Sequence, residues 1–298
     1  MAASGQIVFP LLFAVTAVSL CAQAAPPASG NPAAKSLVRD VVYNELRDRE
    51  RDSHWEYLDQ KVTPDKNVVR EQVETDRGPV FQIVERNGAP LDSTQREQEA
   101  QRVDAYIHDP AEVARVAKSH QEDEDRIARV LQILPDALLF EFQGNSANEV
   151  AVLTFSPNPA YVPSTYEARL IHTLQGTVTV DVRLKRMIAM RGTVAERVDF
   201  GYGLLGHVEQ GGTFEIHRRQ VSEAHWKTDL VELHLRGKIL LLKTLNKDQR
   251  ETRTDFRPVP GGTTLEEAKQ MLDQAAGQTA QAEFRPAALQ TGRTPGNR

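Results

Sequence analysis

The stretch of this sequence most able to do chemistry is Gly201-Tyr202-Gly203-Leu204-Leu205-Gly206. Its glycines have the spacing of a loop that cradles the phosphates of a dinucleotide. With Val208 it also fits a kinase glycine-rich loop, and Asp199-Phe200-Gly201 spells a kinase-like triplet. A dinucleotide site needs a helix directly behind the third glycine, but Gly211-Gly212 and another strand pattern follow. A kinase needs a lysine strand and a catalytic loop after the glycines, with its Asp-Phe-Gly far downstream and not overlapping them. The run therefore reads as glycines that bend a sheet.

Histidines are the next candidates. His207 and His217 flank the Gly211-Gly212 turn with Glu209 and Glu215 between them, and His225 and His234 follow. No zinc-type spacing joins them, so no metal and no cofactor is expected. Glu122-Asp123-Glu124-Asp125 lacks the spaced acids and central glycine of a calcium loop, and reads as a solvated helix face or a break in a helix. There is no Gly-x-Ser-x-Gly and no His-Glu-x-x-His, and the one cysteine, Cys21, lies in the leader described below. A non-enzymatic chain is expected. The net charge of −5 and an aromatic content of 6% argue against a nucleic-acid partner.

The remaining feature is apolar. Phe200, Tyr202, Leu204, Phe214, Ile216 and Trp226 fall on a stretch that reads as a meander of long strands from Gly176 to Pro258. Its expected strands are Thr177 to Leu184, Met187 to Phe200, Tyr202 to Val208, Thr213 to Val221, Trp226 to Arg236, Ile239 to Leu245 and Gln249 to Phe256. Alternation is clearest at Val178, Val180, Val182 and Leu184, so one face is packed and one wet. From Lys227 onward the apolar set moves to Val231, Leu233 and Leu235, which places a bulge between Lys227 and Leu230. Those six apolar residues line either a plain core or a cavity for a greasy ligand, and pattern alone cannot separate the two.

Upstream, Met1 to Ala24 has the form of a secretory signal peptide. The apolar run Ile7 to Leu20 is too short to span a membrane, and Ala22-Gln23-Ala24 gives the small-x-small cleavage pattern before Ala25. Cleavage there removes Cys21. The rival use of Cys21 is lipid attachment, with Ala22 to Ala34 as tether and Leu20 in the preceding position. Either route places the chain in the periplasm, outside the cell, or lipid-anchored in the envelope.

Ala25 to Ala34 reads as a disordered spacer. Lys35 to Glu50 reads as a helix, then His54 to Val62, Asn67 to Glu74 and Val80 to Arg86 as strands ending at the Asn87-Gly88 turn. Asp92 with Gln95 boxes a second helix, and Asp109-Pro110 starts a third that runs to Pro135. A hairpin around Gly144-Asn145 follows, then a short helix boxed by Ser164 and Glu167. After the meander, Thr264 with Glu267 caps a helix to about Ala276, and Gly277 to Arg298 reads as a disordered tail. The expected fold is α+β over residues 35–276: a single strongly curved antiparallel sheet, an incomplete barrel, with helices covering its concave face.

That order of elements resembles the periplasmic lipoprotein-carrier group (LolA/LolB-like). The residues that carry the likeness are Gly176-Thr177-Val178-Thr179-Val180-Asp181, Lys185-Arg186 and the Gly203 to Gly212 hairpin. Gly237 to Pro260, with Asp255-Phe256-Arg257-Pro258-Val259-Pro260, is similar to uncharacterised secreted bacterial proteins. The resemblance implies a half-barrel that binds an acyl chain or a lipidated protein. It carries over no individual binding residue. The alternative from the residues themselves is an envelope interaction or scaffold module with a filled core.

Overall fold

The computed structural model describes residues 30–50, 54–144, 149–200, 206–239 and 247–283. The leader positions Cys21, Ala24 and Ala25 lie outside them, as do Tyr202, Leu204 and the tail beyond residue 283. Within the described residues the chain is α+β, with five helices, an 11-stranded sheet and a separate 3-stranded sheet. The large sheet does not close into a barrel.

Helix α1 (Pro32–Glu50) starts earlier than its apolar stripe predicts, because the Asn31 side chain accepts from the backbone N–H groups of Ala33 and Ala34. Strands β1 (Trp55–Thr63), β2 (Lys66–Val73), β3 (Val80–Arg86) and the two-residue β4 (Ala89–Pro90) form a meander. Asn87 and Gly88 both take positive φ between β3 and β4, as the Asn-Gly pair predicts. Helix α2 (Ser93–Ile107) carries the full Asp92–Gln95 capping box. Helix α3 (Pro110–Ala137) begins at Asp109, which accepts from Ala111 and Glu112, and runs unbroken through the acidic stretch. That stretch is a solvated helix face.

Strands β5 (Leu138–Phe142) and β6 (Val150–Pro157) lead to α4 (Tyr166–Ile171). The cap of α4 is Thr165, which accepts from Ala168, and not Ser164. The meander then comprises β7 (Leu174–Asp181), β8 (Arg186–Val194), β11 (Thr213–Gln220), β12 (Trp226–Leu235) and β14 (Lys247–Pro258). All its pairings are antiparallel. The bulge falls where the shift of apolar parity puts it: Leu230 pairs with His217 but Thr228 with Arg218, leaving Asp229 as the extra residue. Helix α5 (Leu265–Glu283), boxed by Thr264 and Glu267, continues through Gly277 past its expected end.

The single sheet expected from sequence is corrected in one respect. β9 (Val198–Phe200), β10 (Gly206–Val208) and β13 (Gly237–Ile239) leave the meander and pair among themselves. The chain is diverted after β8, where the Ala195 N–H donates to the Thr173 carbonyl. Alternation along a strand fixes which side chains point inward but not which neighbour the strand joins. Val182 likewise belongs to the turn after β7 and is exposed.

Strand order is β4-β3-β2-β1-β14-β12-β11-β8-β7-β6-β5, so the last strand is inserted beside the first and welds two meanders into one sheet. Both edges are blunted: β4 is short and ends in proline, and on β5 the Asn31 N–H donates to the Phe140 carbonyl. Two apolar cores result. The first packs α1 and the end of α3 on β5–β8 through Val38, Leu134, Leu153, Val180 and Met190. The second packs α2, α5 and the start of α3 on β2 and β3 through Val73, Val80, Val103, Val113 and Leu272. Helix α3 therefore spans from one core to the other, about 1.5 Å per residue, with its exposed middle between them.

Two opposed glycines shape the first core. A Cβ on Gly176 would lie 2.1 Å from the Arg191 carbonyl oxygen, and one on Gly192 would lie 2.4 Å from that of Gln175. The rings of Phe155 and Phe214 lie where the Gly192 side chain would be. Glycine lets the two strands approach closely here; the expected bend at Gly201 to Gly206 falls mostly outside the described residues.

Candidate functional site

Between the two cores the sheet's inner positions turn from apolar to charged. Along β11 the set Phe214, Ile216 continues as Arg218. Along β1 the alternating set is Trp55, Tyr57, Asp59, and Asp59 pairs in register with Arg253 of β14 and Arg70 of β2. On α1 the buried stripe Val38, Val41, Val42 continues as Glu45, which is 1% exposed. Of these charges Arg218 and Arg253 line a polar cleft of about 380 Å³, bounded by the end of α1, the middle of α3 and strands β1, β11, β12 and β14.

Arg218 lines the cleft with a side chain only 9% exposed. It is ion-paired with Glu45 and donates from Nη2 to the Trp226 carbonyl at 2.6 Å. Burial pulls its guanidinium down to about 10. Arg253 stacks over the Tyr57 ring at 5.5 Å, donates to Glu251 and stands 3.6 Å from the fully buried Asp59. Burial opposes its charge, but Tyr57, Glu251 and Asp59 outweigh that and hold it above the usual arginine range. Burial raises the Tyr57 hydroxyl, which accepts from Gln72. Lys227 reaches Glu74 at 3.4 Å and lies over the Trp55 ring. At the rim, His54 faces Asp76 at 3.5 Å, and α3 contributes His120, Gln121 and Glu124.

Among the described residues, several buried side-chain atoms lack a hydrogen bond, and two of them, on Asp48 and Arg218, belong to residues that line this cleft. The carboxylate oxygens among them belong to acids that each face an arginine: Glu45 to Arg218, Asp48 to Arg186, Asp59 to Arg253, Asp229 to Arg219. The nitrogens are Trp55 Nε1 and Arg218 Nε, and no acceptor meets either one.

Of the sequence-predicted apolar residues, the four that are described do not share one cavity. Trp226 lines the polar cleft, whereas Phe214 borders an open groove of about 700 Å³ across β6, β7, β8, β11 and β12. Ile216 pairs with Met190 and Val231, and Phe200 packs on the first core with its ring edge-on to Tyr166 at 5.4 Å. Between α1, α3 and β5–β8 lies a void of about 30 Å³ lined by Val38, Leu131, Phe140, Val178 and Met190 among others.

The histidines are dispersed. His217 holds Glu215 at 2.7 Å, His234 bridges Glu232 and Asp248, His225 packs on Trp55, and His207 lies on the small sheet. Hydrogen bonding to Glu232, and then to Asp248, raises the pKa of His234. Among the described residues no group of three or more His, Cys, Asp or Glu side chains is placed to hold a metal ion. At Gly206 a strand begins, so the helix required behind a dinucleotide fingerprint is not there. Among the described residues no helix is long and apolar enough to cross a membrane.

Sequence reasoning missed Arg218, Arg253 and Glu45, although a signal was present for Arg218 and Glu45. Glu45 and Arg218 are charges at core positions of their elements' patterns, where unpaired charge is too costly to persist, whereas the strand of Arg253 has no apolar alternation to mark it. Comparison with protein-family models, with curated proteins and with solved structures gives no match for this chain.

Proposed function

We propose that this chain is an exported, non-enzymatic protein of the cell envelope that works as an interaction module around a filled core, and that the polar cleft receives its partner. The observation that carries this reading is the void of about 30 Å³ beneath α1 and α3. A pocket that engulfs a ligand measures roughly 300–1,000 Å³. In support of this reading, Val, Leu, Met and Phe side chains of this chain pack together beneath α1 and α3. The carrier function implied by the resemblance would need α1 to part from the sheet. Its ties there are the Glu45–Arg218, Asp48–Arg186 and Asp40–Lys185 ion pairs.

An incomplete barrel with helices over its concave side is part of the same proposal. The backbone approach at Gly176 and Gly192 and the packing of α1 and α3 on β5–β8 support it. Envelope placement rests on the leader pattern of Met1 to Ala24. The cleft is favoured as the docking point because Arg, Tyr and Trp, the residue types that dominate binding hot spots, converge there.

The test is to purify the chain from its envelope fraction, examine it by native mass spectrometry and titrate it with a fluorescent fatty acid. In parallel, a photo-crosslinking residue is placed at Thr228 in the cleft and at Thr179 on β7. The expected results are no bound lipid, no saturable uptake, and an adduct of one defined mass from Thr228 only. Stoichiometric lipid or saturable fatty-acid binding would overturn the proposal.

A further inference from the structure

We propose that Glu56, Glu71 and Arg257 form a proton-controlled latch on helix α5. With one proton shared between the two carboxyls, the end of β14 and α5 stay on the sheet; with both ionised, this unit opens about a bulge at Asp255. Glu56 of β1 and Glu71 of β2 are 6% and 5% exposed, and both reach the same nitrogen, Nη2 of Arg257, at 3.1 and 2.5 Å. One guanidinium, itself half in water, answers one carboxylate and leaves a second like charge beside the first, away from solvent. Burial, then the charge of Glu56, raises Glu71 to about 7 against the pull of Arg257. From the other elements packed there, β3 sets the neutral Gln82 opposite Glu71, and α2 presents Glu99, held by Arg102 and the Ile83 N–H. Helix α5 buries Leu265, Ala268 and Leu272 in the second core, and its Lys269 is held by Asp273.

The segment so held has few other ties to the sheet. Leu58 pairs with Thr254 but Glu56 with Arg257, so Asp255 and Phe256 together oppose Tyr57. Asp255 takes a left-handed φ of 56°, a conformation uncommon outside glycine. Beyond this bulge come Pro258-Val259-Pro260, where two residues lack an N–H and Val259 donates its own to the His54 carbonyl at 2.9 Å. Helix α5 follows, and Val259 joins Leu265, Ala268 and Leu272 in the second core. Because the closed form binds the proton more tightly than an exposed glutamate does, the latch is complete below pH 4.5 and is lost as pH rises through about 7. The device does not depend on what the polar cleft receives.

Hydrogen exchange of the full chain, read by mass spectrometry from pH 5 to 8 and corrected for the intrinsic rate, tests this. Peptides from Leu265 to Leu272 are expected to lose protection about tenfold between pH 6 and pH 8, as follows when a group at about 7 in the closed form returns to 4.5 on opening. Peptides from Val38 to Glu45 in the first core are expected to keep theirs. Glu71→Gln, and Glu56→Gln as a second variant, should each hold α5 as well protected at pH 8 as at pH 6. The profile of the unaltered chain needs no variant: protection of α5 that does not change with pH overturns the proposal. Equal loss in both cores also overturns it, since the change is then global unfolding. Variants that keep the original pH dependence overturn it as well, because another group then titrates.

Discussion

Replacing Glu71 by glutamine is expected to stabilise the protein at pH 8 and to do nothing at pH 4.5. Glu71 of β2 and Glu56 of β1 are both buried and both face Arg257, whose side chain is half in water. Burial, then the charge of Glu56, raises Glu71 to about 7 against the pull of Arg257. Because the folded value lies above the unfolded one, the group's contribution is complete below pH 4.5 and is lost as pH rises through about 7. The rise from 4.5 to about 7, at about 1.4 kcal/mol per tenfold change, corresponds to about 3 kcal/mol. Screening at the half-exposed guanidinium lowers this to about 1–3 kcal/mol. Glu56, 3.1 Å from Arg257, keeps the guanidinium paired in the variant. Urea unfolding of both proteins from pH 4.5 to 8 measures the difference. If the variant is the less stable protein at pH 8, or the gap does not change with pH, Glu71 is ionised in the native state and the reasoning is wrong.

Truncating Glu45 to alanine leaves Arg218 buried without its carboxylate and is expected to cost about 3–5 kcal/mol in urea unfolding. The paired change Glu45→Leu with Arg218→Met should recover most of that loss; a double variant as unstable as Glu45→Ala would show that the charges are not the cause. Gly192→Ala sets a methyl 2.4 Å from the Gln175 carbonyl oxygen and should cost about 1–3 kcal/mol or more, read as a lowered melting temperature. An unchanged melting temperature would show that the two strands do not approach as closely as described.

Local chemistry was legible wherever the cause is local. Asp92–Gln95, Asp109-Pro110 and Thr264–Glu267 start helices because each cap and its orphan N–H groups lie within one turn of chain. The Asn87-Gly88 turn and the Asp229 bulge follow in the same way from the φ preference of two residues and from a one-residue change of apolar parity. The first helix begins at Pro32 and not at the expected Lys35, and the cap of α4 is Thr165 and not the neighbouring Ser164.

What needed three dimensions is every relation between distant segments. The insertion of β14 beside β1, the departure of β9, β10 and β13 into their own sheet, and the spanning of two cores by α3 depend on which partners a strand or helix finds. The sequence alone determined an α+β chain rich in antiparallel strands, with inward and outward positions set by period two. Tertiary structure decided that Arg218 and Arg253, far apart along the chain, line one cleft and that Glu45 pairs with Arg218. The reason is that burial and ion pairing are properties of assembled surfaces, and no repeat along a single strand encodes which surfaces meet.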